Sequence, residues 1–248
     1  MTKPRLPGND PRTLARDIPG LFEALFPHLV PGVVAYLNQQ SSTPPGCARV
    51  RHDAIRATTL ARAMLFELAV AVAEQRLAGE ALPNWEDGLS VAVKRQRRHF
   101  DAWEPAGLDE SDKTVALQVA ENLLLMMSLA KSSTEQPQLV LAPKVPGYQW
   151  IASGVGDFAL GTHLIEVKCT NRHFSSADYR QVLIYWLLSY AEAIERNGSE
   201  WTHIILMNPR QGHMLTLPFD ELVRLLAAGR TKVELLELFA TIVGERKA

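Results

Sequence analysis

Three residues in the stretch Gly154 to Lys168, GVGDFALGTHLIEVK, have the types and the spacing to do chemistry together. Asp157 and Glu166 are carboxylates and Lys168 is an amine. The stretch reads as two short strands joined by a turn at Gly161-Thr162, with Asp157 on the first strand and Glu166 and Lys168 on the second. Side chains alternate along a strand, so Glu166 and Lys168 point to one face, and Ile165, Val167 and Cys169 point to the other, toward a core. Two carboxylates and an amine at the ends of neighbouring strands can hold a divalent cation with a water beside it, as phosphodiester hydrolysis requires. The Glu-x-Lys tripeptide alone carries little weight: about one is expected in a chain of this size. A strand with an ion pair on its wet side is its plainer reading. The context adds to it. The Asp follows Gly-x-Gly, the strand has a clean apolar face, and a helix comes next.

Two further positions belong to the same question. Glu121 is the only charged residue between Val115 and Ala130. Its helical neighbours Leu117, Leu124 and Leu125 are apolar, so a carboxylate there needs a cation or a donor unless it leans outward. Gln181 and Tyr185 lie one helical turn apart and share a face. An ordinary amphipathic helix would account for them as well. Lys94, Arg95, Arg97 and Arg98 form the densest basic run and could grip a phosphate backbone. The alternative is a solvated helix end that favours the helix dipole. Trp103 and Trp150 could stack on bases, although core packing is the stronger expectation for both.

The elements that must position these groups follow from periodicity and breakers. Residues 1–20, with four prolines and no periodicity, read as a leader or arm. Leu21 to Gln39 reads as two short helices, and SSTPPG (41–46) as a loop. Asp53 to Leu77 has apolar residues at helical spacing and reads as one long helix, with another from Ser90 to Phe100. The loop 104–112 is the expected boundary between a helical region, 1–110, and a second domain, 111–248. Val115 to Ala130 is a buried helix with Ser111 or Asp112 as its N-cap. Strands are expected over 138–142, over 150–152 continuing at 155–160, and over 163–169. A helix follows, with Ser175 as N-cap and Asp178 three residues on, ending at Asn197-Gly198. Strands over 202–207 and 212–217 and two helices, 219–228 and 232–242, complete the chain. The fold class expected is α/β (α+β).

Composition leaves these readings open. The 248 residues are 47% apolar and 21% charged, as in a soluble globular protein, and the net charge is −1. Bulk charge therefore does not indicate a nucleic-acid binder, but a local patch over one phosphate would suffice. The residues MTKPRLPGNDPRT lack the apolar stretch of a signal peptide, and no apolar run reaches the length of a membrane span. A cytoplasmic location is the expectation. Cys47 and Cys169 are far apart, without CxxC or Cys/His spacing, so neither a zinc site nor a disulfide framework is indicated.

The Asp157…Glu166-Val-Lys168 stretch resembles the signature of the PD-(D/E)xK nuclease superfamily. Gln181-Val-Leu-Ile-Tyr185 looks like the Gln-x-x-x-Tyr motif of its RecB-like branch. The order helix, three strands, helix, two strands, helices over residues 113 to about 217 is similar to its restriction-endonuclease-like core, a mixed central sheet flanked by helices. One departure is Gly156 where the signature has Pro. The resemblance implies a divalent-metal-dependent deoxyribonuclease. Asp157, Glu166, the Val167 carbonyl and Glu121 would bind Mg²⁺ or Mn²⁺. Lys168 would orient the attacking water, and Gln181 and Tyr185 would position water or substrate. Asn171, Arg172 and His173, just past the strand, are candidate phosphate contacts or plain loop residues. DNA is the expected substrate, residues 1–110 a substrate- or partner-binding region, and bacterial restriction or antiphage defence the setting. A helicase, NTPase or sensor partner and a homodimer fit that analogy. The competing readings are a catalytically silent nuclease-like assembly subunit and an RNA-cleaving enzyme with the same site.

Overall fold

The computed structural model describes residues 10–97, 105–135 and 138–245. Seven helices come first: α1 (Pro11–Asp17), α2 (Leu21–Leu25), α3 (Pro31–Gln39), α4 (His52–Ala57), α5 (Arg62–Leu77), α6 (Trp85–Arg97) and α7 (Glu110–Ser132). Strands β1 (Leu139–Leu141), β2 (Lys144–Val145), β3 (Gly154–Val155), β4 (Phe158–Leu160) and β5 (His163–Val167) follow. Helix α8 (Ser176–Arg196) leads to β6 (His203–Asn208), β7 (His213–Pro218), α9 (Phe219–Leu226) and α10 (Lys232–Glu245). The architecture is mixed α/β.

Five strands form one sheet in the order β1-β4-β5-β6-β7, and β2 and β3 pair separately. The pairing of β5 with β6 is parallel, with Glu166 opposite Leu206, and the other pairings are antiparallel. A parallel pair needs a long crossover, and α8 provides it. Successive β5 residues face opposite layers. Leu164 joins a core with α8, α1–α3, α9 and α10, whereas Ile165 joins one with α4–α7. Both cores draw residues from both sides of position 110. The Glu166 face of the sheet is thus covered rather than wet, and Glu166 is 2% exposed.

Local signals explain most boundaries. Ser175 and Asp178 form the capping box that starts α8, and Asn197, at φ 53°, ends it. Gly161, at φ 53°, makes the β4–β5 turn, a left-handed conformation that glycine adopts without a Cβ penalty. Other expectations need correction. The helix expected over 53–77 is two, α4 and α5, because the chain breaks to feed Asp112: this fully buried carboxylate accepts from Thr59 N (2.9 Å), Thr59 Oγ1 (2.7 Å) and Leu60 N (3.1 Å). Asp112 is committed there and to the Asp109 N–H (3.1 Å), so Asp109, rather than Ser111 or Asp112, is the N-cap of α7. The strand expected over 150–160 is split. Trp150 lies in a turn, Gly154–Val155 pairs with β2, and only Phe158–Leu160 enters the large sheet.

The leader expected over 1–20 contains α1. Asp10 caps it by accepting from Arg12 N (2.8 Å), Pro11 occupies the first turn, and Leu14 is fully buried. Pro at this position loses no intrahelical bond and is preset for the helix.

Candidate active site

Asp157 stands between β3 and β4, Glu166 is on β5, Lys168 directly follows β5, and Gln181 and Tyr185 are on the first turns of α8. The sheet and its crossover helix bring all five together. Lys168 Nζ donates to Glu166 Oε1 (2.7 Å) and to Gln181 Oε1 (2.9 Å). Gln181 Nε2 donates to Glu166 Oε1 (2.6 Å) and to Tyr185 Oη (3.1 Å). The lysine has only hydrogens to offer, so it must meet the amide oxygen, which sets the orientation of the amide. Val167 N donates to Asp157 Oδ2 (2.8 Å), tying the start of β4 to the end of β5.

Packing and hydrogen bonding favour glycine over proline at position 156. A Cβ there would lie 3.2 Å from Leu164 Cδ1 and 3.3 Å from Pro143 Cγ. Its N–H also donates to the Pro143 carbonyl (2.9 Å), a bond proline cannot make.

A sixth residue completes the cluster, and nothing in motif spacing pointed to it. Arg12 of α1 donates from Nε to Tyr185 Oη (3.0 Å) and from Nη2 to the Val155 carbonyl (3.3 Å). Its Nη2 lies 3.6 Å from Asp157 Oδ1. The Asp10-Pro11 pair was a legible helix start, but the contact spans 173 residues of chain to Tyr185. Asp178 also approaches, with Oδ1 3.9 Å from Lys168 Nζ.

The electrostatics follow from burial and crowding. Burial and then the Glu166 charge push the Asp157 carboxyl up to about 7, while Lys168, Arg12 and the Val167 N–H pull it back. Burial opposes the Lys168 charge, but Glu166 and Asp157 outweigh it and hold the ammonium above its ordinary range. Lys168 is therefore a charged donor at neutral pH. Burial, followed by the Glu166 charge, also raises the Tyr185 phenol, which keeps its proton.

Asp157 and Glu166 are carboxylates, the ligand type that a hard divalent cation takes. Glu166 Oε2 is buried and has no hydrogen-bond partner among the described residues, a costly state for a carboxylate oxygen. The Glu166 charge acts on the Asp157 carboxyl, and both groups offer oxygen. Among the described residues no group of three or more His, Cys, Asp or Glu could hold a metal. Mg²⁺ commonly takes one or two carboxylates and completes its shell with water and substrate oxygens.

The remaining expected site residues lie elsewhere or play other parts. Glu121, expected at the metal site, is exposed on α7, and no hydrogen bond or ion pair among the described residues joins it to the cluster. The inward polar residue is its neighbour Asn122, which donates to the carbonyls of Ala48 (2.7 Å) and Pro209 (2.6 Å) and accepts from Ala48 N (3.1 Å). Arg95 is held by Glu74 (2.7 Å) and lies 3.9 Å from Glu67, so its charge serves α5–α6 packing. Lys94 and Arg97 are exposed in the last turn of α6, and Arg98 and Trp103 lie outside the described residues. Asn171, Arg172 and His173 are exposed, in a loop held by Asn208 Nδ2 bonds to the carbonyls of Thr170 and Arg172 (both 3.2 Å). No hydrogen bond or ion pair among the described residues joins the Asn171 or Arg172 side chain to the cluster. Trp150 packs on the core and donates from its indole to the Val243 carbonyl (2.8 Å).

No helix among the described residues is long and apolar enough to cross a membrane. A scan of family models and searches of curated proteins and solved structures return no match for this chain.

Proposed function

We propose that this chain is a divalent-metal-dependent nuclease that hydrolyses phosphodiester bonds of DNA, built on a restriction-endonuclease-like core. The observation that carries the reading is the hydrogen-bonded cluster of Glu166, Lys168, Gln181 and Tyr185, with Asp157 tied to it through the Val167 N–H and one buried Glu166 oxygen left without a partner among the described residues. The crossover of α8 between parallel β5 and β6, with β4 antiparallel beside β5, supports the core assignment.

Asp157, Glu166 and the Val167 carbonyl would hold Mg²⁺ or Mn²⁺. The bound cation would lower the pKa of a water and stabilise the leaving oxygen. Lys168, charged and fixed by Glu166 and Gln181, orients the attacking water and offsets negative charge as it develops on the phosphorus oxygens. Gln181 keeps Glu166 and Lys168 in register through both ends of its amide. Tyr185 accepts from Gln181 and Arg12 and so retains its own hydrogen for a substrate oxygen. A role as the nuclease component of a bacterial restriction or antiphage system, working beside an NTPase or sensor and as a dimer on duplex DNA, accords with this chemistry by analogy.

The test is cleavage of supercoiled plasmid and of single-stranded DNA with Mg²⁺ or Mn²⁺, wild type beside Lys168→Ala. Wild type is expected to cleave and the variant to lose at least about a hundredfold in rate, the scale of a lost oxyanion-type donor. Equal cleavage by both would overturn the assignment of this site. A matched RNA strand in the same assay tells a ribonuclease from a deoxyribonuclease.

A further inference from the structure

We infer that Arg12 is a substrate ligand of this site: its guanidinium binds a non-bridging oxygen of the phosphate to be cleaved. The inference rests on the nuclease reading above and adds to it a residue from outside the motif-bearing region.

Helix α1 does not need Arg12 to stay in place. Leu14 and Ile18 are buried in the core beneath α8, and Asp10 caps the helix. Pro11 lies so close to Gly154 that a Cβ on the glycine would come within 3.0 Å of Pro11 Cγ. With α1 anchored by these contacts, a 36% exposed arginine side chain is available for another task. Its guanidinium is aimed by two neutral acceptors, Tyr185 Oη and the Val155 carbonyl, and at 3.6 Å from Asp157 it makes no hydrogen bond to that carboxylate.

A divalent cation held by Asp157 and Glu166 would offset the negative charge that Arg12 now faces. Two positive groups this close repel strongly in a partly buried site unless an anion lies between them. A phosphate oxygen is the anion that the reaction itself brings, and the planar guanidinium fork matches phosphate geometry. The neutral contacts to Tyr185 and Val155 keep the fork aimed when Asp157 is engaged elsewhere.

The experiment uses the full chain and a fluorescent single-stranded DNA oligonucleotide, titrated in Ca²⁺ at several salt concentrations. Wild type is compared with Arg12→Ala, Arg12→Gln and Arg12→Lys. Melting curves with and without Mn²⁺ serve as the second readout. Arg12→Ala and Arg12→Gln are expected to bind about tenfold more weakly. The slope of log affinity against log salt should fall by about 0.7, the loss of one contact to a single strand. Arg12→Lys should restore that slope, and all three variants should keep the Mn²⁺-induced rise in melting temperature. Arg12→Gln keeps a polar side chain that donates hydrogen bonds, though a shorter and uncharged one, so it covers the case in which Arg12→Ala does not fold. Wild-type affinity and slope in Arg12→Gln would overturn the inference while leaving the nuclease reading intact. Loss of the Mn²⁺ shift in Arg12→Gln would also overturn it, making Arg12 a support of the carboxylates. A wild type that neither binds the oligonucleotide nor responds to Mn²⁺ would remove the nuclease reading, and this inference with it.

Discussion

Asp157 is the residue whose behaviour can be read most directly in solution. Its carboxyl is raised from an ordinary 3.8 to about 7, first by burial and then by the Glu166 charge. Between those two values the folded chain binds a proton that the unfolded chain has already lost. Folding stability from this group is therefore fully present below about pH 4 and is lost as pH rises through about 7. Asp157→Asn removes the titration. In urea melts with a chelator present, the variant is expected to gain on wild type progressively from pH 4 to pH 7.5 and then level off. A difference that stays constant with pH would show that the carboxylate is not strained in this way. Added Mn²⁺ at pH 8 should stabilise wild type and leave the variant unmoved.

Helix α7 shows at the scale of an element how polar residues choose their faces. Its two inward polar groups, Asp112 and Asn122, are fixed by backbone donors and acceptors from distant loops, whereas Glu121 turns to solvent. Apolar neighbours at 117, 124 and 125 suggested an inward Glu121, but Leu125 is 40% exposed, so that edge of the helix is not sealed. Asp112→Ala would strand the N–H groups of Thr59 and Leu60 beneath α4 and α5. A loss of about 3 kcal/mol in chemical denaturation is expected, the cost of several buried donors left without acceptors. Glu121→Ala should change stability by no more than about 0.5 kcal/mol and leave cleavage at the wild-type rate. A large loss of cleavage in that variant would return Glu121 to the site.

Over the whole molecule, both faces of one sheet are covered by helices, and each cover mixes residues from before and after position 110. Helices α1–α3 pack with α8, and α4–α6 pack with α7. An arrangement in which neither half completes a core alone should unfold as a unit. Far-ultraviolet circular dichroism and tryptophan fluorescence are expected to give one coincident transition in urea, and a fragment spanning 111–248 should fail to fold. Two separated transitions, or a folded fragment, would show that the helical region is an independent domain.

Alternation along β5 was enough to place Glu166 and Lys168 on one face, and the Ser175–Asp178 capping box was enough to start α8 where it starts. Gln181 and Tyr185 share a face by helical geometry alone. These are local rules, acting over two to four residues, and a sequence displays them directly. The tertiary structure decided everything that depends on what lies opposite. It buried Glu166 under α8 where an exposed face was the plain reading, turned Glu121 outward, and paired Arg95 with Glu74. It also carried Arg12 from a proline-rich leader to within 3.6 Å of Asp157. No pattern in the chain marks that contact, because it is made by packing α1 against α8, and packing joins residues that sequence distance keeps apart.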